Sequence, residues 1–214
     1  MEDAEILNLW KSYDKKLDEN LTLHRKNTED ITRMKVQSFL GSMKPLKVFT
    51  ILAGLVWVGF VDVLIIGLFG VASPFFLVSA IVQVLLTKLS IGIYLYQLIL
   101  IHSVDIAEPV LETQEKLARL KSSTLWVARL LLLQLPVWTT FYWNESMLSH
   151  GSAILWVIQG TVTALFTFAA VWLFVNIRYE NKDKKWFRLL FEGYEWTPVI
   201  RSMELLRQVD ESRK

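Results

Sequence analysis

Four long apolar stretches constrain this chain more than any other feature. They run from Leu46 to Leu68, Pro74 to Ile101, Leu125 to Trp143 and Ala153 to Ile177. A helix needs roughly 20 mostly apolar residues to cross a hydrocarbon core of about 30 Å. The remaining segments carry nearly all the charge, which is how 214 residues combine 53% hydrophobic with 21% charged side chains. The expected fold is all-α: a polytopic integral membrane protein with four transmembrane helices and long cytoplasmic helical extensions. Met1-Glu2-Asp3-Ala4-Glu5 is acidic and polar, so no cleavable signal peptide is expected.

Charge placement gives the expected orientation. Of 23 Lys and Arg, 21 lie in residues 1–47, 102–124 and 178–214, and the connections 70–73 and 144–152 hold none. Positive charge marks the cytoplasmic side. Both termini and the 102–124 connection are therefore expected in the cytoplasm, which four spans satisfy. Trp138, Tyr142 and Trp143 would sit at the outer interface and Trp126 and Trp172 at the inner one.

The second apolar stretch is too long for its task. Twenty-eight residues make about 42 Å of helix. After Pro109 a helical spacing resumes at Val110, Leu111, Gln114, Leu117, Ala118 and Lys121. The spacing predicts that spans two and three extend below the membrane as a helical hairpin over about 90–124, turning near His102–Glu108. The expected organisation is a cytoplasmic amphipathic helix (1–43), a transmembrane region with its hairpin (44–177), and an interfacial segment followed by a short helix (178–214).

Residues 5–43 carry a stripe in steps of three and four: Ile6, Trp10, Tyr13, Leu17, Asn20, His24, Asn27, Ile31, Met34 and Ser38. Polar residues in the middle of such a seam can select a partner at some cost in stability. Two readings stay open here: packing on the protein's own hairpin, or docking of another protein through Trp10, Tyr13, Leu17, Asn20 and His24. The Lys182–Phe191 segment mixes basic and aromatic residues in the manner of a helix lying against anionic lipid. Thr197-Pro198 then opens a short helix with an apolar stripe from Val199 to Val209.

Ionisable groups inside spans are functional candidates. Arg129 lies near the inner boundary and can snorkel. Asp62 sits roughly 12 Å from the outer face, with a side chain too short to leave the bilayer. It requires a neutral state, a partner or a wet cavity. Lys88 is one partner, although roughly 9 Å separates their depths. Gln83 and Ser79 are nearer in depth.

Other chemistry finds little support. There is no cysteine and only three scattered histidines, so neither a metal centre nor a cofactor is expected. A net charge of +2 gives no reason to expect nucleic acid. Phosphate loops, zinc-protease and nucleophile-elbow motifs are missing, so no enzymatic activity is expected.

Leu9-Trp10-Lys11-Ser12-Tyr13-Asp14-Lys15-Lys16-Leu17-Asp18-Glu19-Asn20-Leu21 opens the chain. Val104-Asp105-Ile106-Ala107-Glu108-Pro109-Val110 stands in the hairpin, followed by Gln114, Leu117, Leu120, Arg129 and Leu135-Pro136-Val137-Trp138. Over most of its first 140 residues the chain resembles a family of small bacterial four-span inner-membrane proteins of unassigned function, encoded near extracytoplasmic-function sigma factors. Ser122-Ser123-Thr124 departs from the basic run of that family. The resemblance implies a bacterial inner-membrane regulator that holds a cytoplasmic partner, and it transfers no catalytic residue. Two functions are carried forward. One is a non-enzymatic, membrane-anchored regulatory or scaffold protein, anti-sigma-like, with the lipid bilayer and a cytoplasmic protein as partners. The other is a small transporter or channel subunit using Asp62 and Lys88, assembled as a homo-oligomer.

Overall fold

The computed structural model describes residues 2–104, 110–143, 147, 151–191, 193 and 196–211, and the secondary structure among them is helical throughout. The expected turn residues Asp105–Glu108 with Pro109, and the side chains of Ile6 and Val209, lie outside the described residues.

Helix α1 runs unbroken from Glu2 to Leu68, about 100 Å at 1.5 Å per residue. The sequence reading separates a cytoplasmic helix ending at 43 from a span beginning beside it. The structure joins them through Pro45. A proline inside a helix deletes one N–H bond and crowds the carbonyl four residues back, here that of Gly41. Ending the helix instead would orphan four carbonyls and four N–H groups at a membrane boundary. Continuation is the smaller loss.

Helix α2 spans Pro74–His102 and is packed against α1. Helix α3 spans Val110–Leu133 and α4 spans Leu135–Thr140. The apolar stretch expected as a single third span is therefore interrupted. Pro136 cannot donate to the carbonyl of Leu132. The Gln134 N–H turns to the Leu131 carbonyl at 3.3 Å, and Trp138 N–H resumes the ladder on the Gln134 carbonyl at 3.2 Å. Helix α5 spans Ala153–Asn176, with the Ser152 hydroxyl accepting from the Leu155 N–H at its start. A 3-10 turn at Tyr179–Asn181 leads to α6 (Lys185–Phe191) and α7 (Trp196–Glu211).

Among the described residues three helices, α1, α2 and α5, are long and apolar enough to cross a membrane. Their outer surfaces confirm the need for an apolar medium. Phe49, Val56, Val63, Ile66, Val157 and Phe168 all stand exposed, an arrangement that water does not tolerate over a large contiguous area.

Three cores hold the helices together. Ile51, Val58 and Val61 of α1 meet Ala80, Val84, Ile91 and Tyr94 of α2 within the apolar zone. Gly54 allows this approach, because a Cβ there would lie 3.1 Å from the Ile91 side chain. Below that zone, at the pole carrying the basic segments, Val36, Leu40 and Met43 of α1 meet Leu100, Ile101, Leu117, Leu120, Val199 and Leu206. Helix α7 thus packs on α1 and α3 through the stripe expected from Val199 onward. A third cluster centres on Phe187, whose ring stacks on Phe191 with centroids 4.3 Å apart and meets Trp196 edge-on at 5.5 Å. Lys184, Lys185, Arg188 and Leu189 of the same segment remain exposed.

Candidate functional site

The first candidate is the part of α1 before Thr32. From Thr32 onward α1 buries one face, at Thr32, Val36, Leu40, Met43, Lys47 and Ile51, in steps of three to four residues. The stripe through Trp10, Tyr13, Leu17, Asn20, His24, Asn27, Ile31 and Met34 lies on the opposite side of the helix at 100° per residue. The bundle therefore leaves this stripe uncovered. Trp10 is 68% exposed and Tyr13 65%, and Leu17, Asn20 and His24 are exposed as well. Among the described residues the stripe is not seen to pack on the protein's own hairpin: the other face of α1 is the covered one, from about Glu29, whose side chain is 14% exposed. Residues 2–31 project as a helical arm about 45 Å long.

The second candidate is the set of polar residues within the apolar zone. Lys88 Nζ donates to Asp62 Oδ2 at 3.1 Å, so the length of the lysine and the packing of α1 on α2 close the expected depth gap. The pair lies on the outer lip of the α1–α2 contact, with the Lys88 side chain 52% and the Asp62 side chain 40% exposed. Gln83 and Ser79, weighed as partners of Asp62, face the other way. Both are buried, and the Ser79 hydroxyl meets that of Thr140 at 2.8 Å.

Gln83 and Ser79 belong instead to a polar face of α2 that looks into the bundle. Ser79, Gln83, Ser90, Tyr94 and Gln97 are all buried and follow steps of four, seven, four and three. They extend over about 27 Å of helix. Gln134 Nε2 donates to Thr87 Oγ1 at 3.3 Å beside this face, and Gln159 Nε2 donates to the Thr139 carbonyl at 2.6 Å. At its lower end Lys47, fully buried, donates to Gln97 Oε1 and places Nζ 4.9 Å from the Tyr94 ring centre. Sequence reasoning missed this face because α2 is apolar on nearly every side. Polar residues recurring at helical spacing within it are the signal that could have shown it. Lys47 was missed for a different reason: it stands among basic residues and reads as one more flanking charge.

Arg129 has a structural task. Its Nε and Nη2 donate to the Ile177 carbonyl at 3.0 and 2.6 Å, capping the C-terminus of α5, where a cation suits the helix dipole. The guanidinium lies 5.1 Å from the Trp126 ring and 5.8 Å from that of Phe174. Below it, Lys121 Nζ stands 3.8 Å over the Tyr179 ring, and Lys182 donates to the Tyr179 hydroxyl at 3.3 Å. That hydrogen bond holds the Lys182 amine above its ordinary pKa. A cavity of about 310 Å³ opens between Leu46, Tyr94, Thr124, Val127 and Trp196, and its walls are mainly apolar.

Comparison of the chain with family models, curated proteins and solved structures finds no match, so the functional reading rests on these side chains alone.

Proposed function

We propose that this chain is a non-enzymatic regulatory or scaffold protein of a bacterial inner membrane that captures a cytoplasmic protein on its N-terminal arm, in the manner of an anti-sigma factor. The observation that carries the reading is the uncovered stripe on residues 2–31. Trp10, Tyr13, Leu17 and Ile31 lie exposed on one face of a helix that continues directly into a membrane span. Exposed aromatic anchors of this kind are typical of interface hot spots. Asn20, His24 and Asn27 at the centre of the stripe favour a selective contact over a purely apolar one.

The test is co-purification from membranes. Trp10→Ala and Tyr13→Ala should each weaken capture of the partner about tenfold or more, with membrane insertion unchanged. Undiminished capture after deletion of residues 1–31 sinks the reading.

The proposed topology has four spans, with α3 and α4 together forming the third across the Pro136 interruption and both termini cytoplasmic. The distribution of Lys and Arg supports it. Reporter fusions at 72 and 148 should read external, and those at 43, 110 and 214 internal. An external C-terminus rules the topology out.

A transport reading draws support from the buried polar face of α2; Asp62 and Lys88, which face outward on the single chain, would serve it only at a contact between copies. Loss of a measured flux in Gln83→Leu would favour it over the scaffold.

A further inference from the structure

The Asp62–Lys88 pair poses a problem that a single chain leaves open. Its oxygen and nitrogen meet at 3.1 Å on the outer lip of α1 and α2, and both side chains are about half exposed. Exposed Leu55, Val63 and Ile66 of α1 and Leu85 and Leu89 of α2 surround it, so the medium at this depth is hydrocarbon. Ionised groups at such depth face a protein interior or water, not lipid tails. Lysine can reach toward an interface, but an aspartate held roughly 9 Å inside the end of α1 at Leu68 cannot.

We propose that a second copy of this chain covers this face, the two copies being related by a two-fold axis along the membrane normal. Charge complementarity identifies the occupant. One acid and one base at the same depth form a patch complementary to itself, and a two-fold axis brings Asp62 of each copy toward Lys88 of the other. A different partner would need its own matched intramembrane charges. The surface also has the shape for a helix to approach. Beside Lys88, a shallow groove of about 490 Å³ is lined by Leu85, Leu89, Gly92, Ile93 and Tyr96. At Gly92 and at Gly59 a Cβ would meet nothing within 4 Å, so both backbones are open to the close approach that drives helix association in lipid. The inference requires α1 and α2 to cross the bilayer and is independent of the arm and its partner.

Two experiments on the full chain test it. The native sequence has no cysteine, so single cysteines report proximity without background. Oxidation in native membranes should trap a covalent dimer for at least one of Leu85→Cys, Leu89→Cys and Gly92→Cys. Val157→Cys, exposed on α5, should stay monomeric. In the second experiment Asp62→Lys and Lys88→Asp chains carrying different tags are expressed together. Each variant alone places like charges at the interface, whereas the mixed pair restores attraction. Mixed dimers should exceed the statistical expectation at least fivefold. No trapped dimer at any of the three groove positions, equal trapping at Val157→Cys, or trapping of a different membrane protein in place of a second copy overturns the proposal. If the charge variants fail to insert, the cysteine series decides alone.

Discussion

Leu117→Ala is expected to lower stability by about 3 kcal/mol, within the range for emptying a packed leucine site. Leu117 is fully buried where α1, α2, α3 and α7 converge; this core lies beyond the apolar zone, and in the proposed topology water surrounds it, so burial would carry its full hydrophobic value there. Removing the side chain loosens α7, which is held to α1 and α3 through Val199 and Leu206. Trypsin should therefore reach Arg201 and Arg207 sooner in the variant. Leu111→Ala, exposed on the same helix, should change stability by no more than about 0.5 kcal/mol. Thermal melts in detergent give the comparison, and equal melting of the two variants would contradict this packing.

A second large effect is expected at Lys47. A surface lysine at a membrane boundary would tolerate alanine within about 0.5 kcal/mol. Lys47 is instead fully buried and donates to Gln97. Lys47→Ala opens a cavity and strips an acceptor of its donor, for an expected cost of about 3 kcal/mol. Lys47→Met keeps the volume and loses the polar contacts of the ammonium, the bond to Gln97 among them, costing at least about 1 kcal/mol. Gln97→Glu should be neutral or stabilising, since it replaces the Gln97 Nε2 donor, which has no partner among the described residues, with a second acceptor for the lysine. Identical melting of Lys47→Ala and Lys47→Met would show that the stem of this side chain fills no space.

The apolar stretches, the excess length of α2 and the interior-facing stripe of α7 were legible because each depends on local pattern. The choice of face was not. On α1 the stripe from Trp10 to Met34 is the more conspicuous by composition, yet the bundle takes the face of Val36, Leu40 and Met43. Tertiary contact outweighs the number of aromatic residues there. The two interior prolines act in opposite senses. Pro45 stands where the sequence reading passes from one helix to the next, and α1 runs through it; Pro136 stands inside the stretch read as one span and interrupts it. The difference is one of surroundings: α1 continues in helix-favouring sequence on both sides of Pro45, whereas the ladder around Pro136 gives way one residue before α4 begins. Asp62 and Lys88 were recognisable as a pair, but whether they faced the bundle or the lipid depended on a rotation of α1 that no single stretch of sequence reveals.

The continuity of α1 also has a mechanical meaning. A rod anchored by one half against α2 and free along the other is a lever with its fulcrum near Thr32, where packing on the bundle begins. If α1 tilts by about 10° in the bilayer, the far end of a 45 Å arm sweeps about 8 Å, more than the width of a side chain. A change in membrane thickness or in the seating of α1 on α2 would thus arrive at Trp10 as displacement, less whatever flexing the bond missing at Pro45 allows. A partner held on the arm, as proposed, would be coupled by a single covalent helix to the state of the bilayer.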